Sequence, residues 1–160
     1  MAKHRRLDGE SAPDLPSLRR LRLLVIDDEP FVGRSLARLL REQDVVVEVR
    51  AKSALERLRG GEPFDAILCD LMMPELSGMQ FYEQVCQERP ALSRKMLFMS
   101  GGAFGGEADA FVQRMGDRVF EKPGELRLVA KRLRELAEAE ASRRTPDSPA
   151  NTLRSGGKRP

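Results

Sequence analysis

Short apolar runs alternate with amphipathic segments along the chain from Leu21 to about Ala141. Leu21-Arg22-Leu23-Leu24-Val25-Ile26 is nearly continuously apolar, the pattern of a strand buried on both faces of a parallel sheet. Pro30 then stands where the first turn of a helix tolerates it, and Phe31/Val32, Ser35/Leu36 and Leu39/Leu40 recur at the spacing of one helical face. Val45 to Val49 predicts a second strand, and Ser53 to Arg59 a short helix closed by Gly60-Gly61. Phe64 to Cys69 predicts a third strand. A helix opening near Ser77-Gly78 carries Phe81 and Val85 and stops at Pro90. Lys95 to Met99 predicts a fourth strand, Glu107 to Met115 a helix, and Arg118 to Glu121 a fifth strand. Glu125 to about Ala141 predicts the last helix, with Leu126, Val129, Leu133 and Leu136 on one face.

Five strands each followed by a helix imply an α/β domain, a parallel sheet covered on both faces. For a domain of about 120 residues the commonest closed solution is the five-stranded, doubly wound, flavodoxin-like (βα)5 sheet with strand order 2-1-3-4-5. In that order strands one and three flank the switch point, and ligands bind outside their carboxyl ends. The domain is expected over residues 20–141. Residues 1–19 mix charges with Gly9, Pro13 and Pro16 and show no period that could bury a face, so they predict a flexible lead. Residues 142–160 carry Pro146, Pro149, Gly156, Gly157 and Pro160 with almost no large apolar residue, the composition of a disordered tail.

The 160 residues are 41% hydrophobic and 33% charged, and no apolar run approaches the roughly 18 residues of a membrane span. The first twenty residues lack an apolar h-region, and Cys69 and Cys86 fit no metal spacing, so a reduced, cytoplasmic compartment and no membrane partner are expected. A net charge of +3 invites a nucleic-acid partner until it is divided along the chain. Residues 1–20 carry +2 and residues 142–160 carry +4, which leaves residues 21–141 at −3. The predicted domain is therefore mildly acidic and the basic character belongs to its ends, which do not call for a polyanion partner.

The chemistry gathers at the carboxyl ends of the strands. The first ends in Asp27-Asp28, the third in Asp70, the fourth in Ser100 and the fifth in Lys122. Taken singly, each has an ordinary explanation: an Asp-Asp pair caps a helix or makes a turn, Asp70 ends a strand, and a Ser before Gly-Gly or a Lys-Pro sits in a loop. Delivered to one edge by four strands, they form a different set. Three neighbouring carboxylates repel one another and call for a positive partner, which a hard divalent cation such as Mg²⁺ supplies through oxygen ligands. Lys122 adds a point charge able to meet a phosphate oxygen, and Ser100 a hydroxyl donor. Metal, cation, hydroxyl and an aspartate nucleophile are what phosphoryl transfer to a carboxylate requires.

Leu23-Leu24-Val25-Ile26-Asp27-Asp28-Glu29-Pro30, Cys69-Asp70-Leu71-Met72-Met73-Pro74 with Gly78 four residues on, Met99-Ser100-Gly101 and Glu121-Lys122-Pro123 together resemble the signature of CheY-like receiver domains of two-component response regulators. The resemblance covers roughly residues 20–141. It implies that Asp70 is the phosphoacceptor, that Asp27, Asp28 and Asp70 bind Mg²⁺ with the backbone carbonyl of Met72 as a further ligand, and that Ser100 and Lys122 contact the phosphoryl group. It also implies a phosphohistidine donor on a sensor histidine kinase or phosphotransfer protein, and a downstream protein target.

Two positions depart from the family. The aromatic residue common three positions before the lysine is Val119 here, and Phe120, one step along a strand, faces the other way. The Phe often found after Lys-Pro is Gly124. Both lie on the surface of the fourth helix, fifth strand and fifth helix, which the family uses for target binding or homodimer formation. The leading expectation is a receiver that switches protein–protein interactions without a DNA-binding effector, the 19 residues after 141 being too few for one. A receiver-like interaction module that is never phosphorylated, and an adaptor acting through its basic tail, are the alternatives. Cys69 is expected to pack in its strand, Tyr82 to lie on the helix surface or at the edge of the core, and His4, the only histidine, to lie in the lead, away from any internal relay.

Overall fold

The computed structural model describes residues 20–102, 105–122 and 124–144. Its elements are β1 (Arg22–Ile26), α1 (Pro30–Leu39), β2 (Asp44–Glu48), α2 (Ala51–Arg59), β3 (Ala66–Asp70), α3 (Gly78–Glu88), α4 (Pro90–Ser93), β4 (Met96–Ser100), α5 (Glu107–Met115), a 3-10 turn (Gly116–Arg118), β5 (Val119–Glu121) and α6 (Leu126–Arg144). The five strands form one parallel sheet in the order β2-β1-β3-β4-β5, as the alternation predicts. The lead at 1–19 and the part of the tail from 145 lie outside the described residues.

Strand alternation divides the core into two layers. Leu24, Ile26, Ile67, Cys69 and Phe98 face Leu55 and Leu58 of α2, Phe81 and Val85 of α3, and Phe111 of α5. Leu23, Val25, Leu68, Leu97 and Met99 face Val32 and Leu36 of α1 and Val129, Leu133 and Ala137 of α6. The central strands β1, β3 and β4 are buried on both faces, which is why their sequences read as unbroken apolar runs. The same alternation puts Val119 against the first layer and Phe120 into the second, so the two residues do point apart. Tyr82 sits at the core edge, edge-on to Phe98 at 5.4 Å and to Phe111 at 5.7 Å.

Several boundaries differ from the pattern-based expectation, each for a local reason. β3 and β4 continue one residue further, through Asp70 and Ser100, because the parallel ladder pairs Asp70 with Met99 and Ser100 with Glu121 regardless of side-chain polarity. Pro90 ends α3 and also opens the one-turn α4, where its missing N–H has no role to fill. α6 runs to Arg144, three residues past the expected end, through an Ala- and Glu-rich stretch of high helix propensity. Val32 and Leu36 of α1 and Leu40 at its C-cap are buried, but Phe31 is 67% exposed and Leu39 38%, so half of the expected apolar face has no cover within the described domain.

Gly33 brings α1 close to the sheet: a Cβ there would lie 2.5 Å from Val47 Cγ1. In Gly33→Ala, overpacking costs about 2 kcal/mol and helix propensity returns about 1. The expected outcome is a net loss of about 1 kcal/mol in urea unfolding, with the slope unchanged.

Candidate functional site

Four of the five strands, β1, β3, β4 and β5, deliver the polar groups of the site to the carboxyl edge. Asp27 follows β1 and is buried; its Oδ1 accepts a hydrogen bond from the Glu29 amide at 2.9 Å, a turn that leaves Glu29, not the Asp-Asp pair, at the N-cap of α1. Asp28 beside it is exposed. Asp70, the last residue of β3, is buried, and its Oδ1 accepts from the Met72 amide at 3.1 Å. Met72 itself lies in the β3–α3 loop with its side chain exposed. Ser100 ends β4; its carbonyl accepts from the Lys122 amide at 2.8 Å, and its hydroxyl turns to the Gly102 carbonyl at 3.4 Å.

Lys122 unites the group. Its Nζ lies 2.8 Å from Asp27 Oδ2, 2.8 Å from Asp70 Oδ2 and 3.2 Å from Glu29 Oε1, with its side chain almost wholly buried. Glu29 was not among the residues singled out from the sequence; the signal for it is its place directly after Asp27-Asp28, where the turn folds it back toward the lysine. Burial raises both Asp27 and Asp70 above the ordinary carboxylate value, against the pull of Lys122. Burial likewise works to depress Lys122, but its close contacts with the Asp27 and Asp70 carboxylates outweigh it and hold the ammonium above its ordinary value. Burial also pushes the Cys69 thiol well above its usual range, helped by the charges of Asp70 and Asp27, which leaves it a packed and inert group.

Asp27, Asp28 and Asp70 each offer an oxygen within 4.8 Å of the others. Asp27 Oδ2 is buried with the charge of Lys122 beside it but no aligned hydrogen bond, so it keeps an open lone pair. An all-oxygen donor set with unspent coordinating capacity fits a hard divalent cation better than a soft one.

The loop that carries Met72 is held by two devices. Glu75 adopts a left-handed backbone, φ 68°, and its carboxylate pairs with Lys52 at 3.0 Å and Arg50 at 3.4 Å. Gly78 opens α3 hard against β3: a Cβ there would lie 2.2 Å from the Asp70 carbonyl oxygen, and the Gly78 amide donates to Leu71 O at 3.0 Å. Behind it Ser77 and Gln80 form a reciprocal capping box. The sequence offered Gly78 only as a motif letter; the structure supplies the reason, which is contact with the backbone of Asp70.

The family model of the response regulator receiver domain matches residues 23–134. The response regulator MprA of Mycobacterium sp. (strain KMS) is 31% identical over 83% of this chain, which spans 57% of that protein's length. The sensor protein TorS of Escherichia coli is 36% identical over 45% of this chain, and the matched segment is 8% of that protein. Among solved structures, a CheY-like receiver domain protein from Methanospirillum hungatei superposes with a TM-score of 0.66 at 22% identity, covering 78% of this chain and 99% of that one. No described helix is long and apolar enough to cross a membrane.

Two buried carboxylates against one lysine set the expected pH response of the metal-free protein. With Asp27 and Asp70 raised in the native state, that state holds protons the unfolded chain releases, so their contribution to stability falls as pH rises from about 4 through the raised values. In EDTA at pH 7, Asp27→Asn is expected to gain about 1 kcal/mol and to flatten this fall, whereas Lys122→Met loses about 3 kcal/mol by leaving two buried charges uncompensated. Denaturant midpoints across pH 4 to 8 test both signs. Gly78→Ala is expected to cost more than Gly33→Ala, since backbone at 2.2 Å cannot yield as the Val47 methyl can.

Proposed function

Because the chain belongs to the response regulator receiver domain family, we propose that it is a phosphorylation switch of a two-component phosphorelay, in which Asp70 accepts a phosphoryl group from a phosphohistidine on a sensor histidine kinase or phosphotransfer protein. The observation that carries this reading is Lys122 Nζ at 2.8 Å from both Asp70 and Asp27, inside a cluster of three carboxylates. The relatives named response regulator and sensor protein support a place in this class of signalling proteins. A cytoplasmic location accompanies it, as does classification as a signalling domain that promotes its own modification.

Asp27, Asp28 and Asp70, with the backbone carbonyl of Met72, would hold Mg²⁺, which when bound supplies neutralising charge to the phosphoryl oxygens. An Asp70 carboxylate oxygen attacks phosphorus; the new P–O bond forms as the P–N bond to the donor imidazole breaks, and the electron pair of that bond leaves on the imidazole nitrogen. Lys122, already against Asp70 Oδ2, follows the charge as it moves onto the phosphoryl oxygens. The Met72 amide keeps Asp70 Oδ1 in a fixed orientation. Ser100 has a long hydroxyl bond to Gly102 O to exchange for a shorter one to a phosphoryl oxygen, and Gly102, at φ 148°, gives the loop the backbone freedom for that exchange.

The acyl phosphate carries more negative charge than the free carboxylate, and drawing Ser100 toward it shifts the β4–α5 loop. With Val119 in place of an aromatic, no ring swings beside β5, and the output goes to a protein target through the loop and the flanking helix faces. Incubation with acetyl phosphate and Mg²⁺ is expected to add about 80 Da to the intact protein, and Asp70→Asn to abolish the addition. EDTA is expected to suppress it in the wild type. A wild type that binds Mg²⁺ and stays unmodified overturns the assignment; one that neither binds Mg²⁺ nor is modified is the unphosphorylated interaction module.

A further inference from the structure

The uncovered half of α1 borders an apolar groove of about 450 Å³ between α1 and α6. Its apolar walls are Phe31, Leu39 and Leu126, and its charged walls are Arg34, Arg38 and Arg127, all positive. Gly124 forms one end, where a Cβ would meet nothing within 4 Å; the large residue that commonly follows Lys-Pro in the family is missing there, and the groove stays open. A second hollow of about 250 Å³ shares Arg38 and Leu39 and continues past Gln43 and Arg134. The two form one track along the α1–α6 face.

We propose that residues 7–18 of this chain, an acidic leucine-bearing segment of the lead, dock in this groove. Leu7-Asp8-Gly9-Glu10-Ser11-Ala12-Pro13-Asp14-Leu15-Pro16-Ser17-Leu18 has three leucines, three carboxylates and no basic residue, although Arg5-Arg6 and Arg19-Arg20 flank it. Its charge therefore complements the arginine walls and its leucines suit the apolar floor. The tether is short and well aimed. The Leu21 amide donates to Gln43 Oε1 at 2.8 Å, and Gln43 lines the hollow where the track begins, so the first described residues stand at the mouth of the groove. Phe31 and Leu39 stand about 12 Å apart along α1, while twelve extended residues reach about 40 Å. A linker of this length gives an effective concentration of about a millimolar, enough to fill a groove whose bimolecular affinity would be weak. The basic tail is excluded as the occupant because its charge matches that of the walls. Docking of the lead covers the α1 face and must be displaced by any acidic protein segment that binds there. The contact does not depend on whether Asp70 is phosphorylated, so its test is independent of that assignment.

The test uses the full chain, ¹⁵N-labelled, with Cys86→Ser and Ala12→Cys carrying a nitroxide; Cys69 is buried and stays unlabelled. Amides of α1 and the first half of α6 are expected to broaden several-fold more than those of α2 and α3. Arg34→Glu/Arg38→Glu/Arg127→Glu, at three exposed positions, is expected to remove that difference, and adding Asp8→Arg/Glu10→Arg/Asp14→Arg to restore it. Gly124→Phe, which fills the groove without changing charge, is expected to reduce it. Unchanged α2 and α3 shifts report that each variant is folded. Broadening spread evenly over the surface, or insensitive to the charge reversal, overturns the proposal. So does equal broadening when the nitroxide rides on a separate, unlabelled chain, which would make the occupant a second copy.

Discussion

One ammonium group set among three carboxylates governs this molecule. Lys122 compensates Asp27 and Asp70 where burial denies them water, and its aliphatic stem is enclosed by the same edge of the sheet that positions the acids. The sheet order is what makes this possible: β1 and β3 are neighbours at the switch point, while β5 returns two strands away and extends its lysine across β4. The compensation is incomplete, since two buried carboxylates face one buried cation, and that residual charge imbalance makes the edge receptive to a further positive group. Stability and chemistry thus draw on the same contact in opposite senses.

The fold was legible because its central strands are buried on both sides and therefore spell themselves as Leu-Leu-Val-Ile, Ala-Ile-Leu-Cys and Met-Leu-Phe-Met. The edge strand β2 is half exposed and its limits were less clear, as were the ends of β3 and β4, where the ladder continues through polar residues. The site residues were legible because they terminate strands. What could not be read was anything that depends on how one segment lies against another. Glu29 reaches Lys122 across 93 residues, Glu75 meets Arg50 and Lys52 at the start of α2, and Gly78 touches the backbone of Asp70. The apolar spacing in α1 correctly marked a helix but not how much of its face the domain would cover; Leu36 and Leu40 went inward while Phe31 and Leu39 did not.

The two faces of the sheet end up unlike each other. On the α2–α3–α5 side Tyr82, Phe98 and Phe111 pack edge to face, and Arg118 lies over the rings of Tyr82 and Phe98 while donating to the Ser93 and Met96 carbonyls. That arrangement joins α3, α4, β4 and β5 through one side chain beside Val119, where the family commonly places a mobile ring. On the α1–α6 side the contacts are aliphatic apart from Phe120, and the rim is basic. A partner therefore meets two chemically distinct surfaces on one small domain.

The contact between Gly78 and the Asp70 carbonyl has a mechanical meaning. No side chain stands between the end of β3 and the first turn of α3, and Gly78 also bonds Leu71, so the strand end and the helix start form a single rigid joint. The end of β3 and the start of α3 are thus in direct backbone contact, with no side chain between them whose rotamer changes could absorb a displacement of the Asp70 main chain. The capping box of Ser77 and Gln80 fixes that first turn, so the orientation of α3 is tied to the main chain of Asp70.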